Sequence, residues 1–365
     1  MRASLHRAML HYGGGLMLHT ASSGPVSGLD ALYLHLDDGD VAGTGEVRIN
    51  IGYLNGLSEE AVEQEALTFF ETIDWSRQPD ALLAAATILE GVSAPVRMLL
   101  DGALHDLVSR HAGLPLAHWL GGDAARPVSH ATNQTLFISS LERFLEQADA
   151  YVARGFRDLK VRVGSSGFSE DMARLESLRA RFGSKIKLAI DANGAWTFEE
   201  ALENLSALAP IGLAYVEQPI AAGSWAALSE LADKSAIPLM LDESVAGQSD
   251  VDAIIVAGGK LWAHLKLVKM GGIAPTMNAA TRLREAGIPF MIGQMNEGGL
   301  ATAAALHVAC AAQPQFAELY GADGIENDPA PGLAYENGSV SGTQSPGLGL
   351  EFGASKTRLI REFGQ

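Results

Sequence analysis

Four polar residues recur at nearly equal steps through the middle of this chain, each at the end of an apolar run. They are Asp191 in KLAIDANG, Glu217 in LAYVEQP, Asp242 in PLMLDES and Lys266 in WAHLKLVK, at intervals of 26, 25 and 24 residues. Each interval is about the length of one strand–helix–strand repeat. In a parallel barrel the carboxyl ends of successive strands meet at one mouth, where active sites form. The spacing therefore predicts a barrel with three carboxylates and one lysine at its mouth.

The sequence pattern supports this prediction from about His130 onward, because short apolar runs alternate with amphipathic stretches. We predict eight strands, at His130–Ile138, Asp158–Val163, Lys187–Asp191, Ala214–Gln218, Pro238–Asp242, Trp262–Leu267, Pro289–Gly293 and Phe316–Gly321. Helices are expected between them, including Leu141–Arg154, Ser169–Arg181, Thr197–Ala209 and Ile273–Glu285. Eight β/α units favour a closed α/β barrel of the TIM type over an open sheet.

The N-terminal part has a different pattern, which predicts an α+β domain. The stretch LDALYLHLDDGDVAGTGEVRIN places two β-rich runs around a Gly/Asp turn, as in a hairpin. Ser58–Asp74 and Ala94–Val108 carry apolar residues at helical spacing. The Gly/Pro-rich tail after Asp323 shows no further β/α unit and is expected to fold back onto the first domain. We therefore place boundaries that give residues 1–125, 126–325 and 326–365.

Composition limits the class of protein. The 365 residues, 47% apolar and 19% charged, suffice for a barrel plus one smaller domain. A formal net charge of −17 argues against a nucleic acid or an anionic membrane as partner. It does not exclude an anionic small substrate, because a bound divalent cation can reverse the local field. With no targeting segment and no apolar run near about 18 residues, we expect a cytoplasmic, homo-oligomeric enzyme.

The three carboxylates suit a magnesium site. Mg²⁺ prefers oxygen ligands and keeps positions open for the oxygens of a substrate. The sequence has no CxxC or HExxH spacing that would indicate zinc. Each acid alone could instead be a helix cap. Because Asp191, Glu217 and Asp242 all fall at predicted strand ends, we favour the metal site.

Two cations on one strand are further candidates. DLKVRVG places Lys160 and Arg162 two residues apart, so both side chains face the same side of the strand. The alternative is an edge strand with two solvated cations, but interior cations could meet the predicted carboxylates. His19 lies in a polar loop before the hairpin, where a solvated histidine is the simpler interpretation. We nevertheless expect the loop from His19 to Ser27 to close over a substrate.

Taken together, these motifs resemble the enolase superfamily, and within it the muconate lactonizing enzymes (muconate cycloisomerases) and their mandelate racemase-like relatives. The resemblance rests on GTGEV, GFRDLKVRVG, DANGAW, VEQP, LDES, LKLVKMGGI and NEGGLATAAALH. It implies a (β/α)7β barrel under an N-terminal α+β capping domain that the C-terminal tail completes. It also implies abstraction of a proton α to a carboxylate, with a Mg²⁺-stabilised enediolate.

The resemblance also implies roles for individual residues. Mg²⁺ would be held by acids matching Asp191, Glu217 and Asp242, with Lys266 as the acid/base. The remaining assignments are catalytic Lys160 and Arg162, supporting Asn193 and Glu243 around the metal, and substrate-binding Glu297, Glu318 and His19.

The sequence departs from this family in two places. The family's Lys-x-Lys is here Lys160-Val161-Arg162, and arginine cannot act as a base at neutral pH. This departure argues against racemisation with one base on each face of the substrate. In the last strand, the dipeptide epimerases of this group carry Asp-x-Asp to hold an ammonium group. This chain has Glu318 and Tyr320 there, which resembles the ELFG pattern of the cycloisomerases more closely.

These observations predict a Mg²⁺-dependent enzyme acting on a small carboxylate. We favour a lyase or cycloisomerase with Lys266 as the single acid/base and Lys160 as an electrostatic partner. One alternative is a racemase or epimerase of an amino-acid derivative with a non-standard second base. A non-enzymatic alternative is an inert barrel retained for binding.

Overall fold

The N-terminal part forms a sheet covered by helices in the computed structural model, which describes residues 1–13, 18–20, 24–85, 89, 91–165 and 167–364. Its strands are β1 (Arg2–Leu10), β2 (Leu18–Thr20), β3 (Gly24–Val26), β4 (Leu29–Asp37) and β5 (Ala42–Arg48). Its helices are α1 (Gly52–Asn55), α2 (Glu59–Glu71), α3 (Pro79–Ala84), α4 (Ala94–His111) and α5 (Leu116–Trp119). β1, β4 and β5 pair antiparallel, and β2 and β3 form a separate small hairpin.

The GTGEV motif explains how closely α4 packs on this sheet. A side chain at Gly43 would collide with the backbone of Ala103 and Leu107 in α4, and one at Gly45 would collide with the carbonyl oxygen of Leu99. The two glycines therefore let the helix lie directly on the backbone of β5. This packing buries the apolar face of the sheet under α4.

The middle of the chain forms the barrel. Its elements are β6 (Ser129–Ala131), β7 (Gln134–Leu136), α6 (Leu141–Ala153), β8 (Asp158–Arg162), α7 (Phe168–Phe182), β9 (Lys187–Asp191), α8 (Phe198–Leu208), β10 (Val216–Glu217), α9 (Trp225–Lys234), β11 (Leu239–Leu241), α10 (Gln248–Ala257), β12 (Leu261–Lys266), α11 (Leu267–Met270), α12 (Ile273–Glu285), β13 (Phe290–Gly293), α13 (Gly299–Ala312) and β14 (Phe316–Glu318). Strands β7 to β14 pair in parallel and in sequence order. The bond from the Asn133 backbone N–H to the Ala317 carbonyl (3.0 Å) links the first and last strands.

The predicted α/β barrel is confirmed, with one difference at its start. The stretch predicted as a single strand from His130 to Ile138 contains two strands. β7 belongs to the barrel, whereas β6 pairs antiparallel with a strand of the C-terminal tail. Thr132 lies at the break, where its backbone N–H donates to the Gly338 carbonyl (3.1 Å).

The tail contributes to both halves of the molecule. It contains β15 (Ala334–Glu336), β16 (Ser339–Ser341) and β17 (Arg358–Phe363). β16 pairs with β6 beside the barrel, and β17 pairs with β1 at the edge of the N-terminal sheet. The last strand therefore completes the capping sheet, whereas the first part of the tail packs beside the barrel.

Buried carboxylates of the capping domain hold it against the mouth of the barrel. Glu46 accepts hydrogen bonds from the backbone N–H groups of Gly298 (2.8 Å) and Ala301 (3.0 Å), and Asp101 accepts one from Ile273. These N–H groups lie at the first turns of α13 and α12, where backbone donors are unpaired and the helix dipole is positive. Since both turns follow barrel strands, the cap covers the carboxyl ends of the strands. No helix of the described residues is long and apolar enough to cross a membrane.

Candidate active site

The mouth of the barrel collects the four evenly spaced residues. Asp191, Glu217 and Lys266 end β9, β10 and β12, and Asp242 directly follows β11. In the parallel ladders, Asp191 lies beside Glu217 on one side and beside Arg162 on the other. Asp191 and Glu217 are fully buried, and Asp242 and Lys266 are 4% and 3% exposed. The regular repeat of the barrel therefore brings them together.

Asp242 is enclosed by cations. Lys266 Nζ lies 2.6 Å from its Oδ2, and Lys269 Nζ lies 2.5 Å from its Oδ1 and also donates to its backbone carbonyl. Burial acts to raise the pKa of Asp242, but the charges of Lys266 and Lys269 outweigh it and hold that pKa well below its usual range. The pKa of Lys266 is lowered by burial and raised by Asp242, with a net rise. The pair is thus ionised.

Lys160 is the second buried cation of the site. Its Nζ lies 3.0 Å from Glu217 Oε2, 2.5 Å from Glu318 Oε2 and 3.6 Å from Asp191 Oδ2. Burial opposes its charge, but the three carboxylates raise its pKa well above the ordinary value. Glu318 also accepts a bond from Asn133 Nδ2 (3.1 Å). Lys160 therefore remains charged and joins the ends of three strands.

Arg162 forms its own cluster on the neighbouring strand end. Its Nη1 donates to Asp191 and to Asn193 Oδ1 (2.8 Å). Asn193 in turn donates from Nδ2 to Glu243 Oε1 (3.0 Å). The carboxylate of Asp191 raises the pKa of Arg162 although burial opposes this. Arg162 is therefore a permanent cation held against a buried acid.

Among the described residues, one group of potential metal ligands consists of Glu217, Asp242 and His264, whose ligand atoms all lie within 4.8 Å of one another. Of the predicted set, Asp191 is not part of this group, and its carboxylate is instead held by Arg162. Oxygen donors predominate in the site, which suits Mg²⁺, and Glu243 Oε2 is a further buried oxygen without a hydrogen-bond partner among the described residues. The residues present therefore fit a hard divalent cation, and the exact ligand set stays a prediction.

Two of these contacts were not assigned from the sequence. His264 is fully buried, and its Nδ1 lies 3.1 Å from Glu217 Oε1. The sequence could predict that His264 shares a face of β12 with Lys266, because the two residues are two positions apart in that strand. The sequence offers little indication that Lys269 contacts Asp242, because this contact depends on α11 beginning directly after Lys266. Only the tertiary structure shows that two lysines share one aspartate.

A cavity beside these residues extends to the capping domain. It has a volume of about 60 Å³ and is lined by barrel residues Arg162, Asn193, Asp242, Glu243, Lys266, Gln294, Met295, Asn296, Glu318 and Tyr320, and by cap residues Val26, Arg48, Tyr53 and Leu54. Since residues of both the barrel and the cap line it, the cap forms part of the wall of this cavity.

The predicted substrate-binding residues differ in position. Glu318 lines the cavity, as does Tyr320. Glu297 is buried and does not line it; its Oε2 accepts a bond from the Met295 backbone N–H (3.2 Å). His19 belongs to the small β2–β3 hairpin, but its side chain lies outside the described part of the structure. Parts of the predicted closing loop also lie outside the described residues, and its role stays a prediction.

Comparisons with known proteins agree with this architecture. The family model for enolase C-terminal domain-like proteins matches residues 143–356. A hydrophobic dipeptide epimerase of Roseobacter litoralis is 31% identical over 90% of this chain and 93% of its own length. A muconate cycloisomerase 1-2 of Acinetobacter lwoffii is 28% identical over 88% of this chain and 85% of its own length.

A solved structure extends the similarity to three dimensions. The dipeptide epimerase of Methylococcus capsulatus, complexed with Mg and the dipeptide L-Arg-D-Lys, superposes with a TM-score of 0.85. Its sequence is 28% identical, and the match covers 96% of this chain and 99% of that one. Since the fold, the family model and these relatives agree, the chain belongs to the muconate lactonizing enzyme and mandelate racemase-like group of the enolase superfamily.

Proposed function

We propose that this chain catalyses Mg²⁺-dependent proton transfer at the carbon α to a carboxylate, and that the outcome is racemisation or epimerisation of an amino-acid derivative. The observation that carries the proposal is Lys266, an amine buried at the barrel mouth, ion-paired with Asp242 and lining the cavity. An amine in this position can take a proton from a substrate carbon in the cavity and return it.

The buried acids would hold the metal. We assign Asp191, Glu217 and Asp242 as ligands, with Asn193 and Glu243 supporting them and His264 adjacent. When bound, Mg²⁺ supplies positive charge that stabilises negative charge developing on the carboxylate of the substrate. Lys160 adds fixed positive charge beneath the same site, since it contacts Glu217 and Glu318 without facing solvent.

Lys266 must part from Asp242 in order to act as a base. In the structure the two groups are 2.6 Å apart, and this pairing favours the charged amine. The proton transfer at Cα therefore depends on how firmly Asp242 is engaged by its other partners, of which Lys269 is the closest.

The sequence favoured a lyase or cycloisomerase over a racemase, and the comparisons do not support that preference. Two of the three relatives described above are epimerases of dipeptides. An epimerase inverts the configuration at one stereocentre of its substrate, and this supports the racemase or epimerase that the sequence placed second. Dipeptides and N-acyl amino acids are accordingly the substrate classes we would try first.

Arg162 favours a second candidate function. It occupies the position of the second lysine of the family motif and is held by Asp191 as a permanent cation. If no other group replaces that lysine, Lys266 is the only base, and cycloisomerisation or β-elimination needs only one. The similarity to a muconate cycloisomerase fits this candidate.

Deuterium exchange distinguishes the two candidates. We would incubate the enzyme with Mg²⁺ and separate L and D isomers of dipeptides and N-acyl amino acids in D₂O, and follow the α-proton by NMR. A racemase or epimerase incorporates deuterium from either isomer and inverts it. A one-base enzyme exchanges one isomer only, and forms an unsaturated or cyclised product.

Lys266→Ala tests the role of the proposed base, and Lys234→Ala is the matched control. Lys266→Ala should reduce exchange by about 10²–10⁴-fold, the usual contribution of a general base. Lys234 pairs with Glu230 on the surface of α9 and is 52% exposed, so its replacement should have no effect. Exchange by Lys266→Ala at the wild-type rate would contradict the proposal.

A further inference from the structure

Arg48, the last residue of β5, places a buried positive charge in the wall of the cavity. It is 2% exposed and lines the cavity together with the catalytic candidates. Its Nε donates to Asn50 Oδ1 (2.7 Å), and its Nη1 donates to the carbonyls of Met295 (2.8 Å) and Asn296 (3.4 Å). Its Nη2 donates to the Asn50 carbonyl (3.3 Å). All four acceptors are neutral oxygens.

A buried guanidinium is destabilising unless an anion balances it. Elsewhere in this chain, Arg7, Arg110 and Arg162 each contact an aspartate. Arg48 makes no such contact with any carboxylate in the described part of the chain. Burial raises the pKa of Glu297 and the charge of Arg48 opposes that rise, so Glu297 is near, but it bonds to the Met295 backbone instead.

Gln294, which follows β13, is a second and independent sign of a ligand. It is 4% exposed and lines the same cavity. Neither its side-chain oxygen nor its nitrogen has a hydrogen-bond partner among the residues that the structure describes. Gly321 makes room for this amide, because a side chain there would collide with it. A buried amide without partners destabilises a protein unless a ligand or water satisfies it.

Met295 connects this wall to the proposed base. Its carbonyl accepts the bond from Arg48, and its Sδ lies 3.4 Å from Lys266 Nζ. Met295 therefore lies between the guanidinium of Arg48 and the amine of Lys266 and contacts both. A group bound by Arg48 is close enough to belong to the same small molecule as the reacting carbon.

We propose that Arg48 and Gln294 form a subsite for a second carboxylate of the substrate. The guanidinium balances the charge of that carboxylate, and the Gln294 amide donates to it. This inference rests on the proposed function and narrows its substrate class to dicarboxylic amino-acid derivatives, such as an N-acyl amino acid with a terminal carboxylate or an acidic side chain.

The competing interpretation is that Arg48 only fastens the capping domain to the barrel through the Met295 carbonyl. Arg179 provides a comparison, because it also donates to backbone carbonyls, those of Ile211 and Gly212 among them, but lies away from the cavity and is partly exposed. If Arg48 only fastens the cap, the affinity for a ligand should not depend on whether the ligand carries a second carboxylate. If Arg48 forms the subsite, a ligand with the second carboxylate should bind more tightly.

The test is calorimetric binding with Mg²⁺ present, using pairs of probes that differ only in charge. N-acetyl-L-glutamate is compared with N-acetyl-L-glutamine, and N-succinyl-L-alanine with its terminal amide. The wild-type protein should bind at least one dicarboxylate at least about ten-fold more tightly than its amide partner, the effect of a charge-assisted bond. Equal affinities in both pairs, or no binding of either dicarboxylate, would overturn the proposal without any variant.

Variants then test whether Arg48 causes the preference for the dicarboxylate. Arg48→Gln should abolish the difference between the members of a pair, Arg48→Lys should keep part of it, and Arg179→Gln should leave it unchanged. An undiminished preference in Arg48→Gln would overturn the assignment. Because the readout is binding, a charge preference without α-proton exchange would contradict the proposed function and leave the subsite standing.

Discussion

His307 offers a quantitative test of how the capping segments are held to the barrel. It lies fully buried in α13. Its Nδ1 accepts a hydrogen bond from the Ala117 backbone N–H (2.9 Å), and its Nε2 donates to the Leu348 carbonyl (3.2 Å). Burial lowers its pKa from 6.5 to about 4, and nearby His118 acts in the same direction. The imidazole is therefore neutral in the folded protein over the whole range above pH 5.

The sign of the resulting pH dependence follows from the difference between the folded and unfolded states. The unfolded chain binds a proton at its ordinary pKa, so as the pH falls the unfolded state takes up a proton that the folded state refuses. The contribution of neutral His307 is fully present above the ordinary pKa and is lost as the pH falls toward 4. Between pH 7 and pH 5 the loss amounts to about 2 kcal/mol of unfolding free energy, and it approaches about 3 kcal/mol below pH 4.

Urea unfolding at pH 7 and pH 5, in the presence of a chelator, measures this loss. Other groups also titrate, so the relevant quantity is the difference between the wild type and His307→Gln, which cannot take up the proton. The wild type should lose about 2 kcal/mol more than the variant between the two pH values. His11→Gln, at an exposed histidine, is the control and should resemble the wild type. An equal pH dependence in the wild type and His307→Gln would refute the reasoning.

Three further predictions concern the site. If the wild type exchanges only one isomer, Arg162→Lys should introduce α-proton exchange of the other isomer, because a crowded lysine can lose its proton; NMR in D₂O checks it. Lys269→Met should tighten Mg²⁺ binding, since Asp242 loses a competing cation, and should destabilise the metal-free protein by about 1–3 kcal/mol; calorimetry and urea unfolding measure these changes. Gly293→Ala should destabilise the protein by a similar 1–3 kcal/mol, roughly the usual effect of overpacking, because the added methyl group collides with the His264 ring.

Each of these predictions has a result that opposes it. Exchange by Arg162→Lys that is identical to the wild type would mean that position 162 does not face the reacting carbon. Weaker Mg²⁺ binding by Lys269→Met would show that Lys269 positions Asp242 rather than competing for it. For Gly293→Ala, the control is Gly247→Ala, where a side chain meets no atom within 4 Å. Equal stability losses in these two variants would remove the steric explanation.

The barrel was predictable because its strands repeat a simple physical pattern. Most strands are short, largely buried runs, and β8, β9, β10, β12 and β14 each end in a charged residue that the mouth can accommodate. The eight strands observed lie within or beside the eight that were predicted, although most are shorter. The spacing of Asp191, Glu217, Asp242 and Lys266 also predicted their convergence, since strand ends in a parallel barrel share one edge.

Contacts that depend on side-chain direction were not predictable in the same way. Whether Asp191 faces Glu217 or Arg162 depends on competition between charges across two ladders, which spacing alone does not determine. Glu297 falls in a motif of the family, yet its side chain turns behind the cavity wall. Arg48 had no sequence signal, because its position in the wall results from the docking of the cap on the barrel.

The two arginines of the cavity wall bear on one question, which is how many negative charges the substrate carries. Where the family motif has a lysine, this chain has Arg162, which keeps the positive charge but cannot lose its proton. Arg48 adds a second permanent cation that no carboxylate of the described residues contacts. A site that must bind a dianion benefits from cations that stay charged at every pH, whereas a site that needs a second base does not. If the dicarboxylate preference and one-sided exchange are found together, Arg162 serves charge balance and Lys266 is the only base. If exchange occurs from both isomers, a group other than Arg162 supplies the second proton.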